Sequence, residues 1–151
     1  MFFRLTLDEF SKAAQAKKTQ IEKLRIISEN NHKSALDKLC NAFSDFASQI
    51  YPYFEETCKV SGKSDLYFII HENDWHYEVT FYSNNRIEIT LSYQCERYII
   101  LEYQVIHGQE NSVKIAEKLS TGDADINRFA THFQSSAFIS SITDKLLECI
   151  S

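Results

Sequence analysis

Between residues 66 and 106, apolar and polar side chains alternate in four runs. The apolar positions are Leu66, Phe68 and Ile70, then Trp75, Tyr77, Val79 and Phe81. Ile87, Ile89, Leu91 and Tyr93 follow, then Ile99, Leu101, Tyr103 and Val105. A period of two is the mark of a half-buried strand, so the pattern predicts a four-stranded antiparallel meander. A two-residue turn at Asn73 and Asp74 sets Ile70 opposite Tyr77 and Phe68 opposite Val79. A three-residue loop at Asn84, Asn85 and Arg86 then sets Phe81 opposite Ile89 and Tyr77 opposite Tyr93. A second three-residue loop, at Cys95, Glu96 and Arg97, sets Leu91 opposite Leu101. A slip of one residue would turn every apolar side chain to the wrong face, so the parity of the loops is constrained.

Longer periods flank this region. Thr6 and Glu9 have the spacing of a capping box, and Leu7, Phe10, Ala14, Ile21, Leu24 and Ile27 follow at helical intervals, interrupted at Lys17. Residues 28–34 are polar throughout. They predict the turn of a helical hairpin, with Ser34 capping a second helix that carries Leu36, Leu39, Phe43, Phe46 and Ile50. Nothing in that turn forbids helix, and an unbroken helix from 7 to 51 would run about 65 Å. One domain could not bury that length, which would call for a second chain. Pro52 is expected to kink or end the second helix. After the sheet, residues 112–119 fit a helical turn better than a strand. From Thr121 a C-terminal helix should carry Ile126, Phe129, Phe133, Phe138, Ile142 and Leu146 onto the sheet, with a break suggested at Ser135 and Ser136.

The expected fold is therefore α+β in one domain, residues 1–151. A helical N-terminal part spans 1–60, and the sheet with its C-terminal helix spans 61–151. The length supports a core, and the composition (44% hydrophobic, 13% aromatic) is that of a packed globule. No stretch approaches the roughly 20 apolar residues of a membrane helix, and the N-terminus lacks a signal-peptide pattern. Cys40, Cys58, Cys95 and Cys149 have no metal-site spacing and read as free thiols of a reducing, cytoplasmic compartment.

The net charge of −5 is uneven: residues 1–60 hold nine Lys/Arg against eight Asp/Glu, whereas 61–151 hold seven against thirteen. The acidic sheet half disfavours nucleic acid and favours a basic protein partner. Alternation assigns Tyr67, His76, Glu78, Thr80, Tyr82, Glu88, Thr90, Tyr98 and Glu102 to the outer sheet face as the partner-binding surface. His71 and His76 should stand opposite each other near Glu78, two imidazoles and a carboxylate that fall short of a zinc ligand set without another His or Cys. Clustered Glu78, Glu88 and Glu102 could raise one carboxyl pKa, yet only three glycines occur, leaving no Gly-rich cradle for a substrate.

No catalytic residue, metal site or cofactor is expected from these patterns. The reading is a non-enzymatic protein-binding module of inhibitor, immunity-protein or chaperone type. Two alternatives remain beside it. One is a ligand-binding or enzymatic domain with a pocket lined by Tyr77, Tyr93, Tyr103 and Phe133. The other is a structural subunit, a homodimer joined through its N-terminal helices.

Overall fold

The computed structural model describes residues 4–94, 96–118 and 122–150. The thiol of Cys95, Leu119 and the proposed helix start at Thr121 lie outside these residues. The architecture is α+β. One long helix, α1 (Leu7–Ser61), leads into five strands: β1 (Leu66–Glu72), β2 (Trp75–Tyr82), β3 (Arg86–Tyr93), β4 (Glu96–Gln104) and β5 (Ser112–Lys118). Two helices follow, α2 (Asp123–Phe133) and α3 (Ser136–Glu148). The strands lie in the order of the sequence and pair antiparallel throughout.

The helical hairpin does not form. α1 runs unbroken for 55 residues, about 82 Å at the usual rise. Thr6 caps its start by accepting a hydrogen bond from the Glu9 amide at 3.2 Å. Across the polar tract the helix has no glycine or proline to stop it, and Arg25 bridges Glu22 and Glu29 on adjacent turns, each at 3.0 Å. Pro52 does not end it either. A proline inside a helix costs about 3 kcal/mol, but Phe54 and Thr57 just beyond it are buried. Phe54 stacks on Phe81 and Phe68 with ring centroids 5.0 and 6.2 Å apart, contacts that hold the last turns in helix. The end comes at Gly62, whose φ of 73° suits glycine and whose amide bonds back to the Cys58 carbonyl.

In the sheet the faces are as expected except at Tyr98, and two of the pairings are not. The first hairpin has the predicted register, Ile70 opposite Tyr77 and His71 opposite His76. The second is offset by two: Phe81 faces Ile87 and Val79 faces Ile89. Its loop is Ser83, Asn84 and Asn85, because the third loop residue must take a left-handed conformation. Asn85 does so at φ 62°, where Arg86 would be strained. Arg86 thus enters β3. The third hairpin turns at Gln94 (φ 55°) and resumes pairing at Glu96, opposite Tyr93, so Leu91 faces Ile99. An offset of two preserves parity, which is why the core face survives both corrections.

A β-bulge between Leu91 and Ser92 changes one side chain's direction. Tyr98, expected on the outer face, packs its ring 5.2 Å from Trp75 on the core side. The segment after β4 is strand and not helix: β5 pairs along β4, with Val113 and Ile115 half-buried against the core. Lys114 and Lys118 on this edge discourage further strand pairing. The C-terminal helix is two helices, parted at Gln134 and Ser135, close to the suspected break.

The core lies between the inner sheet face and three helical segments. From Ala35 onward α1 contributes Leu39, Phe43, Phe46 and Ile50; α2 adds Ile126, Phe129 and Phe133; α3 adds Phe138, Ile142 and Leu146. The space between Tyr77 and Phe133, where a ligand pocket was conceivable, is filled by aromatic rings. Phe138 lies 5.1 Å and Phe129 6.3 Å from Tyr77, which is fully buried.

Candidate functional site

Three surface features carry chemistry or contact potential. The first is the outer sheet face. Tyr67, Glu78 and Thr80 occupy the β1–β2 side of it, with Tyr67 58% exposed. The rings of His71 and His76 meet edge to face at 4.5 Å. Among the described residues no group of three or more His, Cys, Asp or Glu is placed to hold a metal ion. Thr90 and Ser92 are buried between longer neighbours, so Thr90 offers nothing to a partner.

Glu88 and Glu102 stand directly opposite each other, a like-charge pair that needs a cation. Arg86 supplies it. Its Nη1 lies 2.8 Å from Glu102 Oε1 and 4.0 Å from Glu88 Oε2. Lys114 reaches the other Glu102 oxygen at 3.2 Å, and the guanidinium lies 4.2 Å above the Tyr82 ring. Arg97 pairs with Glu117 further along. The sequence reading left Arg86 in a loop and Lys114 in a helix, so it saw bare carboxylates where the fold makes a compensated network.

The second feature was not foreseen. Glu72, at the end of β1, lies 3.0 Å from His132 Nδ1 and accepts a hydrogen bond of 3.3 Å from the Tyr77 hydroxyl. The His132 ring stacks on Tyr77 at 5.0 Å and meets Phe138 at 4.4 Å. Burial pushes the His132 pKa below its ordinary value, Glu72 acts the other way, and Arg128 adds to the lowering. Burial, with the Glu72 carboxylate beside it, drives the Tyr77 phenol far up. Asn127, Arg128, Thr131 and Ser135 share an open depression of about 460 Å³ with this pair. A single histidine 60 residues from its carboxylate leaves no spacing signal in a sequence.

The third feature is the N-terminal half of α1. Residues 7–31 are exposed along their whole length. Leu7 is 84% exposed, and Phe10, Ile21, Leu24 and Ile27 are each more than half exposed. At 100° per residue this stripe keeps the phase of Ala35, Leu39, Ala42 and Phe46, so one apolar face runs the length of the helix and only its second half is covered. His32 marks the boundary. It contacts Asp123 at the start of α2 and Lys118 at the end of β5, tying the helix to the body just before burial begins.

The remaining features are modest. Cys40, Cys58 and Cys149 are unpaired and half-buried. Burial raises the Cys40 and Cys58 thiols, with Asp37 and Asp65 adding, so both are held in the unreactive protonated form. No helix among the described residues is long and apolar enough to cross a membrane. Comparison of the chain with protein-family models, with curated proteins and with solved structures finds no match.

Proposed function

We propose that this chain is a non-enzymatic protein-binding module whose contact element is the projecting arm, residues 7–31 of α1. The observation that carries the reading is the stripe Leu7, Phe10, Ile21, Leu24 and Ile27, apolar and exposed, with only Ala14 and Lys17 between its two parts. Scattered surface leucines need no explanation, but a row of them on one helix face does. A helix that continues its core pattern beyond its own core is a helix-in-groove or helix-on-helix ligand awaiting its other half. The arm holds five Lys/Arg against four Asp/Glu, whereas the whole chain carries −5, so arm and body differ in sign.

A cytoplasmic location fits the unpaired thiols, and an inhibitor-, immunity- or chaperone-type role fits a small acidic body with one contact element. The outer sheet face is the second reading. Exposed Tyr67 beside Glu78 and Tyr82 favours it as a docking patch, while pairing of Glu88 and Glu102 with Arg86 and Lys114 leaves little charge there for a basic partner.

Immobilised chain separates the two. Wild type should retain a stoichiometric protein, its own copy included, that an Ile21→Glu/Leu24→Glu variant does not retain. A variant with Glu78, Glu88 and Glu102 changed to Lys should retain it as wild type does. The reverse pattern would move the contact from the arm to the sheet.

A further inference from the structure

The layout of the stripe indicates what covers it, granted the reading above that the arm is a contact surface. We propose that the occupant is a second copy of this chain, the two arms lying antiparallel. Apart from Ile27, which lies beside it, the stripe falls on the two seam sites of a seven-residue repeat. Leu7, Ala14 and Ile21 hold one site, and Phe10, Lys17 and Leu24 hold the other. In a parallel pair each residue meets its own equivalent. Lys17 would then face Lys17 in the middle of an apolar seam, and the bulky Phe10 would face Phe10.

An antiparallel pair with its twofold axis beside residues 15 and 16 resolves both conflicts. Leu7 lies opposite Leu24 of the other copy, Phe10 opposite Ile21, and Ala14 opposite Lys17. Twofold symmetry makes each contact twice. The lysine stem covers the smallest residue of the seam and its ammonium reaches water at the flank. Charge agrees with this orientation. Asp8 and Glu9 against Lys12 leave the first part of the seam, residues 7–14, acidic by one charge, and Lys17, Lys18, Lys23 and Arg25 against Glu22 leave residues 17–25 basic by three. Antiparallel packing sets the acidic end of each arm beside the basic end of the other, whereas parallel packing stacks like on like.

The seam also stops in the right place. Beyond Leu24 its next two sites are Ser28 and Asn31, both polar. Leu24 precedes Ala35 by about 16 Å of helix, so the second arm ends short of the body it approaches. The two bodies would sit at opposite ends of a short rod, their sheets free.

A Leu7→Cys/Leu24→Cys variant tests this, made in a chain whose native cysteines are serine. Both positions lie on the exposed arm, away from the core. Under mild oxidation the expected product is a covalent dimer of twice 17.6 kDa, with residue 7 of one chain bonded to residue 24 of the other by peptide mass. Bonds joining 7 to 7 or 24 to 24 would mean a parallel pair and overturn the proposal, as would chains left unlinked. Light scattering on the unaltered chain keeps the test decisive if the serine replacements disturb the body: a dimer mass is expected, and a single-chain mass overturns the proposal. If the chain is monomeric while its arm still retains a different protein, the self-pairing fails and the contact reading stands. If the arm retains nothing, both fail.

Discussion

The two halves of α1 carry one apolar face and put it to different use. From Ala35 to Thr57 that face is closed under the sheet, α2 and α3, and its phenylalanines make ring contacts on several sides. From Leu7 to Leu24 the same face, in the same phase, is exposed. Periodicity alone therefore says which side of a helix is apolar and not what will cover it. Coverage is decided by the rest of the chain, and here the body covers the helix only from Ala35 onward.

That contrast can be broken most severely in the core half. Phe46→Ala should cost about 3–5 kcal/mol of stability in denaturant unfolding, because a fully buried ring leaves a cavity among Phe43, Phe133 and Phe138. Phe10→Ala should change monomer stability by no more than about 0.5 kcal/mol. Equal losses at the two positions would show that the arm folds back onto the body.

The outer face of the body gives a middle-sized effect. Arg86→Met leaves Glu88 and Glu102 facing each other with Lys114 as the remaining cation, and should cost about 1–3 kcal/mol. A change within a few tenths would mean that the network is only a surface ornament of the sheet.

The smallest effect is a pH slope. His132 has a folded-state pKa below its ordinary 6.5 because of burial, with Glu72 opposing and Arg128 assisting. Between the two values the unfolded chain binds more protons. Its contribution to stability is therefore complete above about 6.5 and is lost as pH falls through the folded value. His132→Gln should flatten that part of the profile. An unchanged slope would assign it to other groups.

How far the sequence reached follows from the same physics. The inner face of the sheet was readable because parity is all that alternation needs, and errors of two residues in the hairpin loops leave parity intact. The loops themselves were misplaced because the demand for a left-handed third residue at Asn85 outranked the even matching of apolar rows. That small shift had a chemical consequence: Arg86 moved from a loop into the sheet and compensated two glutamates. Tyr98 was misassigned because a bulge adds one residue that no alternation pattern announces. β5 was missed because a seven-residue edge strand with two lysines reads equally well as a helical turn. Glu72 and His132 meet only through tertiary packing, so their pairing had no signature to read.

The central claim is that one half of the α1 stripe holds the fold and the other half holds a partner. An Ile21→Glu/Leu24→Glu variant measured beside wild type by thermal unfolding and by light scattering tests it most directly. The account predicts that the unfolding of the body is retained in the variant while the associated species seen for wild type is gone. A collapse of the body's unfolding transition in the variant, or an association unchanged by two glutamates in the stripe, would contradict it.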